Sequence, residues 1–141
     1  MLLVLLSLQA LASLNLMGLI GCIQWVHYPM FARLERAKFA DSLRWHGERI
    51  SWLVGPWMLL ELFCALLLSF YPPWPSRWFG VGLALVVALW LITGLIFVPL
   101  HGRLARGYDA RALRMLVLCN WLRTVLWSAR GLLSLYLLVG R

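Results

Sequence analysis

The chain has 141 residues, enough for one domain, and 63% of them are hydrophobic against 13% charged, with a mean hydropathy of +0.84. A water-soluble fold cannot bury so large an apolar share, which excludes soluble enzymes and soluble binding modules. The net charge of +8 would suit nucleic acid in a soluble protein, but these basic residues border apolar runs, so they report membrane orientation and no nucleic-acid partner is expected.

A helix needs roughly 20 apolar residues to cross a hydrocarbon core of about 30 Å, and four such runs follow one another along the chain. Helix 1 is expected from about Leu2 to Phe31. It lacks the positively charged start of a signal peptide, so it is expected to remain as the first membrane helix. A charged segment from Ala32 to Ile50 carries Leu34, Phe39, Leu43 and Ile50 at nearly helical spacing, the pattern of a short amphipathic stretch lying on the cytoplasmic membrane surface. Helix 2 is expected over 50–70, with a kink at Gly55-Pro56 and a stop at the proline- and aromatic-rich loop Tyr71 to Trp78. Helix 3 is expected over 79–100 and helix 4 over 112–139, joined by a charged loop. The fold class is therefore all-α, an integral membrane four-helix bundle forming a single domain over 1–141, with lipid as its first partner and a membrane-protein partner or second copy as a further one.

The first loop holds five Lys or Arg (Arg33, Arg36, Lys38, Arg44, Arg49), the third holds four (Arg103, Arg106, Arg111, Arg114) and the middle loop only Arg77. By the positive-inside rule the first and third loops are cytoplasmic, and both termini lie outside the cytoplasm, in a bacterial inner-membrane setting. Trp25-Val-His-Tyr-Pro and Phe97-Val-Pro-Leu-His form a short echo near the ends of helices 1 and 3, as a parallel repeat would.

Ionisable groups inside apolar spans cost about 2.5–3.5 kcal/mol each on insertion scales, so each calls for a partner or a function. Glu61 and Arg123 stand out, because counting from Ile50 and from Ala112 places both about 17 Å deep, close enough to pair. They are the candidate catalytic residues, with a buried bridge that fixes helix register as the structural alternative. Arg130 reads as a snorkelling residue near the outer face. Helix 4 carries Asn120, Arg123, Thr124, Trp127, Arg130 and Ser134 along one stripe, helix 3 offers Trp90, Thr93, Phe97 and His101, and helix 2 with its leader offers His46, Arg49, Leu53, Trp57, Glu61 and Cys64. Gln24, Trp90, Asn120 and Trp127 are candidate substrate-binding residues, and deep tryptophans could line a flat apolar ligand. His27, His46 and His101 fall at one membrane level and are the candidate metal ligands, with headgroup-level hydrogen bonding as their plainer role. The three cysteines have no paired spacing and read as small packing groups. Nothing in the spacing names a cofactor.

Through Gln24-Trp-Val-His-Tyr-Pro-Met-Phe, His46-Gly-Glu-Arg, Pro56 to Glu61, Pro99-Leu-His and Asn120-Trp-Leu-Arg-Thr-Val-Leu-Trp, the chain resembles a group of small, uncharacterised four-helix bacterial membrane proteins. It is more distantly similar to the anthrone oxygenase-like family, whose members also have a proline after the first helix and an arginine in the last. That resemblance implies oxidation of an aromatic or hydroquinone-like substrate, with site roles for His27, Glu61, His101 and Arg123. Two functions compete: an oxidoreductase or cofactor-binding protein acting on an apolar or aromatic substrate, in which Glu61 or a histidine moves protons and Arg123 holds a substrate oxygen, and a non-catalytic accessory or assembly subunit of a larger membrane complex. The first requires a cavity, the second a filled interior. A transporter or channel is a third class, for which four helices enclose little room.

Overall fold

The computed structural model describes residues 2–140. Four helices in it are long and apolar enough to cross a membrane: α1 (Leu2–Phe31), α2 (Arg36–Phe70), α3 (Arg77–Leu104) and α4 (Ala110–Val139). No strand occurs among the described residues. Each helix packs on its neighbours in chain order and α1 closes onto α4, so the four stand at the corners of a square, running alternately up and down.

The largest departure from the sequence expectation is α2. The segment 32–50 is not a separate surface piece, because the helix starts at Arg36 and runs unbroken for 35 residues. Phe39, Leu43 and His46 are buried along the same face that carries Val54, Met58 and Glu61 further on, so one continuous packing surface keeps the helix intact past its charged turns. Pro56 does not interrupt it. At the other charged turn α3 ends four residues beyond its expected limit and α4 begins two residues before its own. There Asp109 caps α4, its carboxylate accepting from the backbone N–H of Ala112 at 3.0 Å, while Arg103 pairs with it at 2.6 Å. The N–H bond from Ala112, with Arg103 beside it, holds the Asp109 carboxyl below its usual pKa.

Two single π-helical turns, Ile23–His27 and Thr93–Phe97, lie 70 residues apart in α1 and α3. Each precedes a proline, Pro29 or Pro99, whose ring clashes with the carbonyl four residues back and offers no N–H. The ladder shifts to five-residue spacing just before it, Tyr28 N–H donating to Ile23 O and Val98 N–H to Thr93 O. The short echo in the sequence is thus a repeated structural device. The same offset of 70 aligns Pro29, Arg33, Leu34, Arg36, Ala40, Leu43 and Arg44 with identical residues at 99, 103, 104, 106, 110, 113 and 114, seven of the sixteen positions between Pro29 and Arg44. The bundle is two similar helical hairpins in parallel.

Outward-facing positions are large and apolar, among them Trp52, Leu59, Phe63, Leu95, Val125 and Leu132, as a bundle surrounded by hydrocarbon requires. Inside, glycines set two close approaches. A Cβ on Gly131 of α4 would stand 3.2 Å from Met17 Sδ of α1, and one on Gly82 of α3 would stand 3.1 Å from an Arg130 guanidinium nitrogen of α4.

Gly82 and Gly80 therefore make a matched test on one helix, since Gly80 has nothing within 4 Å of an added Cβ. Gly80→Ala should leave thermal stability unchanged or raise it by up to about 1 kcal/mol through helix propensity. Gly82→Leu should lower it by about 1–3 kcal/mol by pressing on the Arg130 guanidinium. Melting temperatures of the two variants in the same detergent decide the matter.

Candidate functional site

Two buried polar clusters occupy the interior. The first joins all four helices. Glu61 of α2, almost wholly buried, accepts from Ser13 Oγ of α1 at 2.7 Å and from Trp127 Nε1 of α4 at 3.2 Å, and it pairs with Arg130 Nε of α4 at 3.6 Å. Ser13 in turn accepts from Gln9 Nε2 at 3.1 Å, and Gly82 of α3 leaves room for the Arg130 head. Because α2 and α4 sit at opposite corners, the pair crosses the diagonal of the bundle.

The sequence expectation paired Glu61 with Arg123, and that pairing is corrected here. It counted depth from residue 50, but α2 begins at Arg36 and residue 50 marks no helix end. Counted from the other ends, Glu61 lies nine residues before Phe70 and Arg130 nine before Val139, the same level of the bundle at about 14 Å from each helix end. Arg130 is accordingly a buried bracing residue, only 2% exposed, and not a snorkelling one.

Arg123 belongs to the second cluster. It is buried, with its guanidinium 4.3 Å from the Phe97 ring centroid and 5.1 Å from that of Trp127. Its Nε has no hydrogen-bond partner, and no carboxylate lies within ion-pair distance of it among the described residues. The aromatic faces are its closest described electrostatic partners, and Tyr28 and His101 also lie near enough to interact with its charge. It lines a cavity of about 430 Å³ between α2 and α3, with Tyr28, His46, Trp90, Phe97 and His101 also in the wall. Trp90 Nε1 is likewise buried without a partner. The cavity extends from Leu43 to Met58 on α2, a rise of about 22 Å, and alongside it from Trp90 of α3 to Ala105 just past the end of that helix. Gly47 and Gly55 of α2 and Gly102 of α3 line it, and a Cβ on any of them would meet nothing within 4 Å. Small residues that elsewhere bring helices together here leave a gap. At its charged-turn end Arg44 of α2 reaches across to donate to Ala105 O at 3.4 Å.

The three histidines do gather. His46 stands between the others, its ring centroid 5.5 Å from that of His27 and 6.4 Å from that of His101, the latter pair nearly parallel. This is a row of rings, and among the described residues no group of three or more His, Cys, Asp or Glu is arranged to hold a metal ion. The expected three-histidine metal site is therefore not formed in this arrangement: His46 and His101 stack face to face, His27 is tilted by 38° to His46, and the three rings stand in a row. His101 Nδ1 lies 2.9 Å from Phe97 O. A carbonyl oxygen only accepts, so Nδ1 carries the proton and Nε2 is left as the acceptor. His27 and His46 also line a smaller cavity of about 220 Å³ between α1 and α2.

Of the expected substrate-binding residues, Trp90 lines the large cavity, whereas Trp127 donates to Glu61, and Asn120 Nδ2 donates to Gln24 Oε1 at 2.8 Å across the α1 and α4 seam. Glu61 is not in the cavity wall. The expected stripe on α4 is buried or half-buried throughout, but on α2 Arg49 and Leu53 are exposed and Val54 and Met58 face inward. Tyr28 was missed, although its place one residue before a proline that forces a π-helical turn marks it in the sequence.

Breaking the Glu61–Arg130 pair should differ sharply from removing Arg123. Arg130→Met should destabilise by about 3–5 kcal/mol by orphaning the buried carboxylate, and adding Glu61→Gln should restore much of the loss. Arg123→Met combined with Glu61→Gln should be additive. Unfolding free energies in a double-mutant cycle measure both couplings. The compared family models, curated proteins and solved structures include no match to this chain.

Proposed function

We propose that the chain is a multi-pass inner-membrane protein, its charged turns cytoplasmic and both termini outside, that binds a flat apolar molecule bearing a hydrogen-bond-accepting oxygen between α2 and α3. The observation that carries the reading is Arg123, a buried cation on the wall of an apolar cavity with no described carboxylate to answer it. A buried charge left alone is strongly unfavourable, so its retention points to a ligand that completes it. Trp90 offers a second unfilled N–H donor, and His101 a free acceptor nitrogen for a proton. Oxidation of an aromatic, oxygen-bearing substrate, the chemistry implied by the distant anthrone oxygenase-like resemblance, suits such a wall. An accessory subunit would need no cavity, and the open seam between α2 and α3 weighs against it.

Binding is tested in lipid nanodiscs with 1,4-naphthoquinone as probe and tryptophan fluorescence as readout. Wild type should show saturable quenching, and Gly55→Leu, whose Cβ would meet nothing within 4 Å on the cavity wall, should weaken it by about tenfold or more while keeping its melting temperature. Equal, non-saturating quenching in both proteins would sink the reading. For orientation, a reporter active only in the cytoplasm should be silent at the C-terminus and active when inserted between Leu104 and Ala110. Strong activity at the C-terminus would reverse the topology.

A further inference from the structure

The shape left around Arg123 says more about what binds there. Its guanidinium lies over two aromatic rings, Phe97 and Trp127, so the part left for a ligand is the N–H edge. That edge presents donors in one plane, the geometry that two oxygens of a delocalised anion match. Elsewhere in the interior Glu61 and Arg130 answer each other, whereas no carboxylate comes within ion-pair distance of Arg123 among the described residues, Glu48 standing exposed at the cavity rim toward the charged turns. The slot leading to it is largely apolar, with Leu43, Val54 and Met58 in its wall, and its rim is exposed at Ser51, Val98 and Gly102 on the outer surface of the bundle and at Arg44 and Glu48 toward the charged turns. It therefore opens between α2 and α3 along their shared outer side, apolar in the middle and charged at one end.

We infer that Arg123 is the anchor for a planar oxyanion, a carboxylate or the conjugated oxygens of an acidic ring, carried on an elongated apolar body that enters laterally between α2 and α3. This rests on the cavity being a ligand site. The ligand crosses the lipid as the neutral acid. On seating, its O–H bond breaks, the proton passes to a basic nitrogen in the cavity wall, His101 Nε2 or a ring nitrogen of His46, and the oxygen keeps the electron pair and meets the guanidinium. Charge is conserved, and the cation of the empty site gains the partner it lacks.

The experiment measures two matched pairs of probes against wild type, Arg123→Met, Arg123→Lys and Gly55→Leu in nanodiscs: 2-hydroxy-1,4-naphthoquinone with 1,4-naphthoquinone, and cis-parinaric acid with its methyl ester. Wild type should bind the acidic member of at least one pair about tenfold or more tighter than its neutral counterpart. Which pair shows the preference distinguishes a ring from a chain. Arg123→Met should lose the preference, Arg123→Lys should keep part of it, and Gly55→Leu should weaken both members together. Without ligand, Arg123→Met should melt at the same or a higher temperature than wild type, since it removes an unanswered charge, and that readout separates lost binding from lost folding. Equal binding of acid and neutral forms, or a preference that survives Arg123→Met, overturns the oxyanion assignment and leaves the cavity reading standing. Failure of every probe to bind in a Gly55-sensitive way overturns both.

Discussion

A single buried ion pair, Glu61 with Arg130, sets the register of the bundle. Between helices in lipid there is no hydrophobic driving force to speak of, since the surrounding chains are as apolar as leucine, and specificity falls to close packing and polar contacts. The pair crosses the diagonal between α2 and α4, Ser13 joins it from α1, and Gly82 makes space for it on α3. A sliding of α2 or α4 by one turn would leave a carboxylate and a guanidinium unanswered in the interior, and a sliding of α1 would cost the Ser13 hydrogen bond. The net stabilisation from such a pair can be small once desolvation is subtracted, but the penalty for mispairing is large, and mispairing is what fixes the arrangement.

That brace explains why the second arginine of α4 behaves so differently from the first. Arg123 and Arg130 lie seven residues apart on one face of one helix, two turns of the same stripe. Trp127 sits between them, donating to Glu61 from its ring nitrogen while its ring lies against the Arg123 guanidinium. With Glu61, the one buried acidic side chain among the described residues, already committed to Arg130, Arg123 is left to aromatic rings and to whatever enters the slot. One tryptophan thus lies between a structural ion pair and an open cation.

The number and identity of the helices were legible because twenty-residue apolar runs have one physical explanation, and the α4 stripe was legible because its polar residues recur at helical spacing. Where the helices end on the charged side was not. Leu34, Phe39 and Leu43 have the same spacing whether a segment lies on a membrane surface or continues a helix inward, and only the burial of Phe39 and Leu43 decides between these. The wrong partner for Glu61 followed directly from that boundary. On α2 the inward face differed from expectation by one position, Val54 in place of Leu53, since apolar residues on every side give no periodic signal. The repeat was in plain view at an offset of 70 residues, but a comparison of motifs sharing one proline and one histidine does not reveal it.

The repeat also separates scaffold from site. Duplicated hairpins would by themselves give two equivalent seams, α1 against α4 and α3 against α2. The first is closed, by Gly131 against Met17, by the edge of Trp25 against Trp121 at 5.1 Å, and by the Gln24 to Asn120 bond. The second stays open at Gly47, Gly55 and Gly102. Positions identical between the halves, such as Pro29 and Pro99, Leu43 and Leu113, or Trp57 and Trp127, are those that any such hairpin needs to turn and pack. The histidines and the buried charges of the two clusters follow the opposite rule. His27 stands opposite Phe97, His46 opposite Leu116, Glu61 opposite Gly131, His101 opposite Phe31, Arg123 opposite Leu53 and Arg130 opposite Leu60. Two of these charges, Glu61 and Arg130, come one from each hairpin and answer each other across the bundle, so the charge that no carboxylate meets, Arg123, is the one to assign to a ligand.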